Sequence, residues 1–265
     1  MTSVKFSVII PCFNDGSRIR RSVESCLNQT YLPYEVIIVD DGSNFFTQQT
    51  IKDIVEEYHS KGVRAFFLIK NRGVAVARNK GIDMASGDMI CFLDSDDVWH
   101  PDKLKIAANF LTSINMPIAL AHDFTYNFDD LSKRYNNVIN FSHRKISTLY
   151  LILRNPITAP SLMIPTGLNI KYDERMTHAE DHDFLLRLSQ MIDILILDIK
   201  LVFINRKLGT KGGLSGDKWK MRKGEIKMFV NLCASRPKYY LFLPALVVYS
   251  ITKHVRSMVL SKLTA

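Results

Sequence analysis

Asp94-Ser95-Asp96-Asp97 packs three carboxylates into four residues, directly after the apolar run Met89–Leu93. Like charges at that density raise each other's pKa unless a cation neutralises them. Hard oxygen donors suit Mg2+ or Mn2+, ions that keep several waters and bridge to phosphate oxygens. The same residues also read as a helix-capping turn ahead of Pro101. A second acidic group, Glu180-Asp181 with Asp183, lies between and beside His178 and His182. Its neighbours crowd Asp181 and raise its pKa, while its place at a helix start acts the other way. The plain alternative is an N-cap with acidic first-turn residues. Two common phosphate cradles are absent: no GxGxxG follows the first apolar run, and GxxxxGK[ST] does not occur. A diphosphate would therefore be held through a metal rather than by a glycine loop.

These groups need elements to position them. Phe6–Phe13, Glu35–Val39, Arg64–Ile69 and Met89–Leu93 are near-continuous apolar runs, the pattern of strands buried on both faces. Helical segments near 17–29, 47–60 and 73–85 separate them. The alternation predicts parallel strands covered by helices, an α/β, Rossmann-like sheet. A helix opens at His100-Pro101-Asp102, strands are predicted at 117–126, 161–164 and 193–204, a helix near 181–191, and loop over 127–145. In such sheets ligands bind outside the carboxyl ends of the strands. Four strand ends carry polar residues here: Pro11 to Asp15, Asp40-Asp41-Gly42-Ser43, Lys70-Asn71-Arg72-Gly73, and Asp94 to Asp97.

The ordered set Ser7-Val-Ile-Ile-Pro11-Cys-Phe-Asn14, Val39-Asp40-Asp41-Gly42-Ser43, Asn71-Arg-Gly73, Ala77-Arg78-Asn79-Lys-Gly81, Ser86-Gly87-Asp88, Leu93-Asp94-Ser-Asp96-Asp97 and Ala179-Glu180-Asp181 resembles the family 2 inverting glycosyltransferases of GT-A fold. The resemblance covers about residues 4–100 and resumes at 178–190. It implies a sugar transferred from a nucleotide-sugar donor, expected to be UDP-linked, to an acceptor hydroxyl, with Mn2+ or Mg2+ required. By that resemblance Pro11 and Asn14 line the nucleoside pocket and Asp41 hydrogen-bonds the base or ribose. Asp94 and Ser95 approach the donor, and Asp96 with Asp94 ligates the metal. Arg78 lies near the base or phosphates, or is a structural ion pair. Asp181 is the catalytic base. Glu180 and His182 are candidates for acceptor contact. Two further readings stay open: transfer onto polyprenyl phosphate, and a nucleotide- or carbohydrate-binding scaffold without turnover.

The chain departs from the family after its last strand. Where relatives carry an Arg-x-His-type segment, it reads Asn205-Arg206-Lys207-Leu208-Gly209-Thr210-Lys211-Gly212-Gly213 and has no histidine. Arg206, Lys207 or Lys211 would meet phosphate charge there instead. The glycines suit either a lid closing over the donor or a linker.

The chain has 265 residues, 47% of them hydrophobic and 23% charged, which suffices for a full core and excludes disordered and low-complexity classes. Its net charge of +9 is uneven. Residues 218–265 hold ten basic side chains and a single acid, Glu225, so the rest is balanced. The expected organisation is a GT-A domain over 1–216 and a basic amphipathic helical tail over 217–265, with Trp219, Ile226, Phe229, Val230 and Cys233 on its apolar face. Basic residues beside aromatic ones suit a lipid headgroup interface. The alternatives are packing on the catalytic domain or on a second copy in a homodimer; nucleic acid is not expected. The acceptor would be a saccharide, lipid-linked if the tail meets a membrane. The four cysteines lack paired spacing, no signal peptide is evident, and no run reaches about 18 apolar residues. A cytoplasmic enzyme, peripheral on the inner face of the cell membrane, is the expectation.

Overall fold

A computed structural model describes residues 3–114, 118–133, 135, 141–206 and 216–263. Its nine-stranded sheet runs in the order β3-β2-β1-β4-β8-β6-β9-β5, with β7 also on β9. The parallel half is β1 (Phe6–Cys12), β2 (Glu35–Asp40), β3 (Val63–Phe67) and β4 (Met89–Phe92). Strands β1, β2 and β4 are buried at every position, which is why they read as unbroken apolar runs. Helices α1 (Ile19–Leu27), α2 (Phe45–Tyr58) and α3 (Val74–Met84) make the crossovers. Beyond β4 the sheet becomes mixed. β8 (Met163–Pro165) is antiparallel to both β4 and β6 (Ala119–Thr125), β9 (Ile194–Phe203) is parallel to β6, and β5 (Val98–Trp99) and β7 (His143–Ile146) are antiparallel to β9. Helices α4 (Lys103–Ser113), α5 (Thr148–Leu153) and α6 (Glu180–Leu188) complete this half.

β7 corrects the loop predicted over 127–145. Three of its four residues are exposed, so no apolar alternation marks it, and pairing with β9 alone makes it a strand. The segment of glycines and lysines at 207–215, including Lys207 and Lys211, lies outside the described residues.

The C-terminal region differs more. Helices α7 (Lys218–Ser235) and α8 (Leu243–Leu263) stand where two tail helices are predicted, but α7 packs into the hydrophobic cluster around α6. It buries Glu225, Met228, Phe229, Leu232 and Cys233, while Trp219 and Val230 are 63% and 43% exposed. The expected apolar face is thus rotated, because a buried acid occupies the face that packs. Met228, Phe229 and Leu232 share a cluster with Phe184, Leu185 and Leu188 of α6. The boundary drawn at 216/217 therefore does not separate two cores. Five of the tail's ten basic residues lie on α7, and of these Lys227 Nζ donates to the Arg175 carbonyl at 2.7 Å.

Gly224 shows how close this docking is. A Cβ there would lie 2.2 Å from the His178 carbonyl oxygen and 2.8 Å from its carbon, against backbone that has little room to yield. Gly224→Ala would gain about 1 kcal/mol of helix propensity. The clash costs about 1–3 kcal/mol and is expected to dominate, because the obstacle is main chain. Chemical denaturation should show a net loss of stability. A more stable variant would contradict the docking of α7 on the 178–179 turn.

Candidate active site

The carboxyl ends of β1, β2 and β4 meet as the sequence leads one to expect, and each turn is held by its neighbours. After β2, Gly42 takes φ +70°, and a Cβ there would stand 2.3 Å from the Lys70 carbonyl carbon. That close approach lets the Asp41 carboxylate accept from the backbone N–H groups of Arg72 and Gly73, both at 2.8 Å. Burial pushes the Asp41 pKa up against these two bonds. After β1, Asn14 sits at φ +52°, a conformation Asn tolerates. Its N–H donates to Ser43 Oγ and its side-chain oxygen accepts from the Asn44 N–H. After β4, Ser22 Oγ of α1 donates to the carbonyls of Ser95 and Asp97, and Ser95 Oγ donates to Asp15 Oδ2 at 2.7 Å. The Asn205 N–H, just beyond β9, donates to Asp97 Oδ1 at 2.9 Å.

A cavity of about 660 Å3 opens at this edge. Pro11, Arg78, Asp94, Ser95, Asp96, Glu180, Asp181, His182 and Arg206 of the sequence-predicted set all line it. Asn14 and Asp41 stand outside its wall and order the turns beside it. The centre is Arg78, whose side chain is only 3% exposed. Its Nη1 donates to Asp181 Oδ1 at 2.6 Å and its Nη2 to Asp94 Oδ1 at 2.9 Å. Burial opposes its charge, but Asp181 and Asp94 outweigh that and hold it protonated. One guanidinium thus joins two acidic groups 87 residues apart in sequence. Below it, Tyr172 lies 5.3 Å from the guanidinium carbon and stacks on Phe184 at 4.2 Å. Asn79 braces the same segment: its Nδ2 donates to the Tyr172 carbonyl and its Oδ1 accepts from the Tyr172 N–H.

Asp181 stands in the first turn of α6, which begins at Glu180 after Ala179 at φ +60°. Burial, with Glu180 and Asp94 adding to it and Arg78 opposing, pushes its pKa up to about 7. Asp96 is also pushed up, by burial and then Asp94, with Arg18 at 3.6 Å and Arg206 at 3.4 Å working against the shift. Asp97 moves the same way, chiefly through burial. His182, a candidate for acceptor contact in the sequence, lines the cavity but is held from behind. It is buried, its Nε2 bonds the Leu151 carbonyl, and burial lowers its pKa, so it fits a neutral structural ring.

Among the described residues no group of three or more His, Cys, Asp or Glu side chains is arranged to enclose a metal ion. The donor set nevertheless fits Mg2+ or Mn2+ bound with a diphosphate. Such an ion takes one or two carboxylates and completes its shell with water and phosphate oxygens, and Asp94 and Asp96 supply those carboxylates.

Sequence reasoning missed one whole wall. Phe124, the 155–160 segment, and Met221, Arg222, Glu225 and Lys253 from α7 and α8 also line the cavity. One signal was available: Glu225 is the only acid in an otherwise basic stretch, and it is 3% exposed.

A parallel sheet half with an acidic turn after β4, a mixed half bearing a second acid, and a cavity between them form an α/β fold of the GT-A type. Comparison with known proteins agrees. Residues 7–170 match the family profile described as glycosyl transferase family 2, and the chain belongs to that family. It is 35% identical over 158 residues to an uncharacterised glycosyltransferase of Haemophilus influenzae, covering 60% of this chain and 61% of that one. It is 41% identical over 108 residues to the amylovoran biosynthesis glycosyltransferase AmsB of Erwinia amylovora, covering 40% of this chain and 35% of that one. The S. aureus TarS 1-349 structure in complex with UDP-GlcNAc has a TM-score of 0.67 at 23% identity, over 86% of this chain and 66% of that one. The matches thus span about a third to two thirds of these relatives.

Proposed function

We propose that this glycosyltransferase moves a sugar from a UDP-linked donor to a hydroxyl of a saccharide acceptor with inversion, in assembly of a surface polysaccharide. The observation that carries the mechanism is the Arg78 fork, which fixes Asp94 and Asp181 on one cavity. The nucleoside lies across the ends of β1 and β2, beside Pro11, Asn14 and Asp41. Asp94 and Asp96 hold a divalent cation, which when bound supplies positive charge to stabilise the leaving diphosphate. Asp181 takes the acceptor proton as that oxygen bonds the anomeric carbon and the bond from this carbon to the diphosphate oxygen breaks. Arg78 keeps the Asp181 carboxylate oriented. Arg206, on Asp96 in this structure, is placed to meet phosphate charge. The AmsB similarity supports the polysaccharide setting, and the UDP-GlcNAc complex of TarS supports the donor class.

The decisive experiment is a thermal-shift screen of nucleotide sugars with Mn2+. A UDP-sugar should stabilise the protein only when metal is present, and Asp96→Ala should abolish the metal-dependent part. Tight UDP binding that ignores metal would overturn the assignment of Asp94 and Asp96.

A membrane surface is the proposed setting. No helix among the described residues is long and apolar enough to cross a membrane. α8 nevertheless presents Val248, Ile251 and Val255 at 48–61% exposure along one stripe, with Leu241 and Phe242 just before it at 82% and 55%. Basic Arg236 and Lys238 stand beside that end, as at a headgroup interface. Deleting 218–265 is an unsuitable test, because it would remove core residues. Val248→Asp with Ile251→Asp should instead halve or better the fraction bound to anionic liposomes at low salt. Equal partitioning would sink the membrane setting.

A further inference from the structure

We propose that the cavity wall built by α7 and α8 is a subsite for an anionic group of the acceptor, a sugar carboxylate or a phosphodiester, recognised by Arg222 and Lys253. This rests on the glycosyl-transfer reading of the cavity and adds the acceptor's chemical class to it. Both cations line the cavity that Asp94 and Asp181 also line. They converge on Glu225: Lys253 Nζ lies 2.9 Å from Oε1, Arg222 Nη1 donates to Oε2, and Ser250 Oγ donates to Oε2 at 2.5 Å. Burial pushes the Glu225 pKa up, but the bonds from Ser250 and Lys253 outweigh it and hold the acid below its usual range. The acid is therefore ionised. Two positive charges on one negative leave one positive charge unbalanced at the cavity surface.

Lys253 joins α8 to α7 through Glu225, whereas Arg222 reaches the same acid along its own helix, three residues away. Arg222 commits one nitrogen of its fork to Glu225, and the fork geometry fits a carboxylate or a phosphate. The Lys253 side chain is 42% exposed. Elsewhere the cavity is lined by Glu180, Asp181 and Asp94. These repel an anion, so a charged acceptor is oriented with its anionic group on the α7–α8 wall and a neutral hydroxyl toward Asp181. Both cations lie outside the segment that matches the family profile, residues 7–170, so this wall is supplied by the chain's own C-terminal helices.

The test uses the full chain with UDP and Mn2+ present. Methyl glucuronide, dimethyl phosphate and neutral methyl glucoside are titrated by calorimetry at low salt. At least one anion should bind, salt should weaken it, and Arg222→Gln or Lys253→Gln should each lower its affinity at least tenfold. Glucuronide binding alone identifies a carboxylate acceptor, and dimethyl phosphate binding alone a phosphodiester. Melting curves on both variants keep the test valid if one folds poorly. Binding of neither anion, equal binding of the glucoside, or unchanged anion affinity in a folded variant overturns the proposal. Failure of UDP itself to bind would instead defeat the donor reading, and is measured first.

Discussion

Asp181→Asn is expected to lower turnover by about 10²–10⁴-fold, the usual contribution of a positioned general base, while UDP affinity stays within a few-fold of the parent. The amide keeps the shape of the carboxylate but cannot take a proton. The readout is transfer to an acceptor, or slow donor hydrolysis in which water takes the acceptor's place, beside UDP binding by calorimetry. The pH profile checks the same residue independently. The Asp181 pKa is pushed up to about 7, mainly by burial. A base must be deprotonated, so kcat/KM should rise with pH through an acid limb near 7 and fall about tenfold per unit below it. A bound divalent cation near Asp94 would pull that limb lower. Unchanged turnover in the variant, or a flat profile from pH 5 to 8, would remove Asp181 from the role.

Arg78→Met should damage stability and turnover together. The guanidinium is buried, and its loss leaves Asp94 and Asp181 without their shared counter-charge. Breaking a buried pair costs about 3–5 kcal/mol. The low end, about 3 kcal/mol, applies here because the two carboxylates are 35% and 32% exposed to the cavity. The sign of the pKa change follows. Arg78 holds the Asp181 pKa down against burial, so without it Asp181 stays protonated to higher pH and the acid limb moves up. Arg78→Lys should recover part of the stability and little of the activity, since one ammonium lacks the fork that reaches both acids. Urea melts and pH–rate profiles separate these effects. A Met variant as stable as the parent with an unmoved limb would reduce Arg78 to a bystander.

The parallel half of the sheet was legible in the sequence because strands buried on both faces must be continuously apolar. Its turns were legible because the chain must change direction there at polar or glycine residues. Asp94, Asp96 and Asp181 stood out for the same local reason: acids crowded beside apolar runs need an explanation. What joins them did not stand out. Arg78 is one arginine on a helix, and its two partners lie 16 and 103 residues away. Only the packing of α3 on β1 and β2, with Asp94 after β4 and Asp181 on α6 brought to its Arg78, makes it a fork. The basic C-terminus left the same question open. Ten bases against one acid over 218–265 suit a headgroup interface or packing on the domain alike, because the direction of each side chain depends on what the helix packs against. Phe229 and Met228 draw α7 into the core, Gly224 lets it approach the 178–179 turn, and Glu225 goes in with them. That single buried acid carries Arg222 and Lys253 to the cavity. Local composition thus determined the candidate carboxylates and the strands beneath them. Long-range packing decided which cation joins them and which helices close the cavity's far wall.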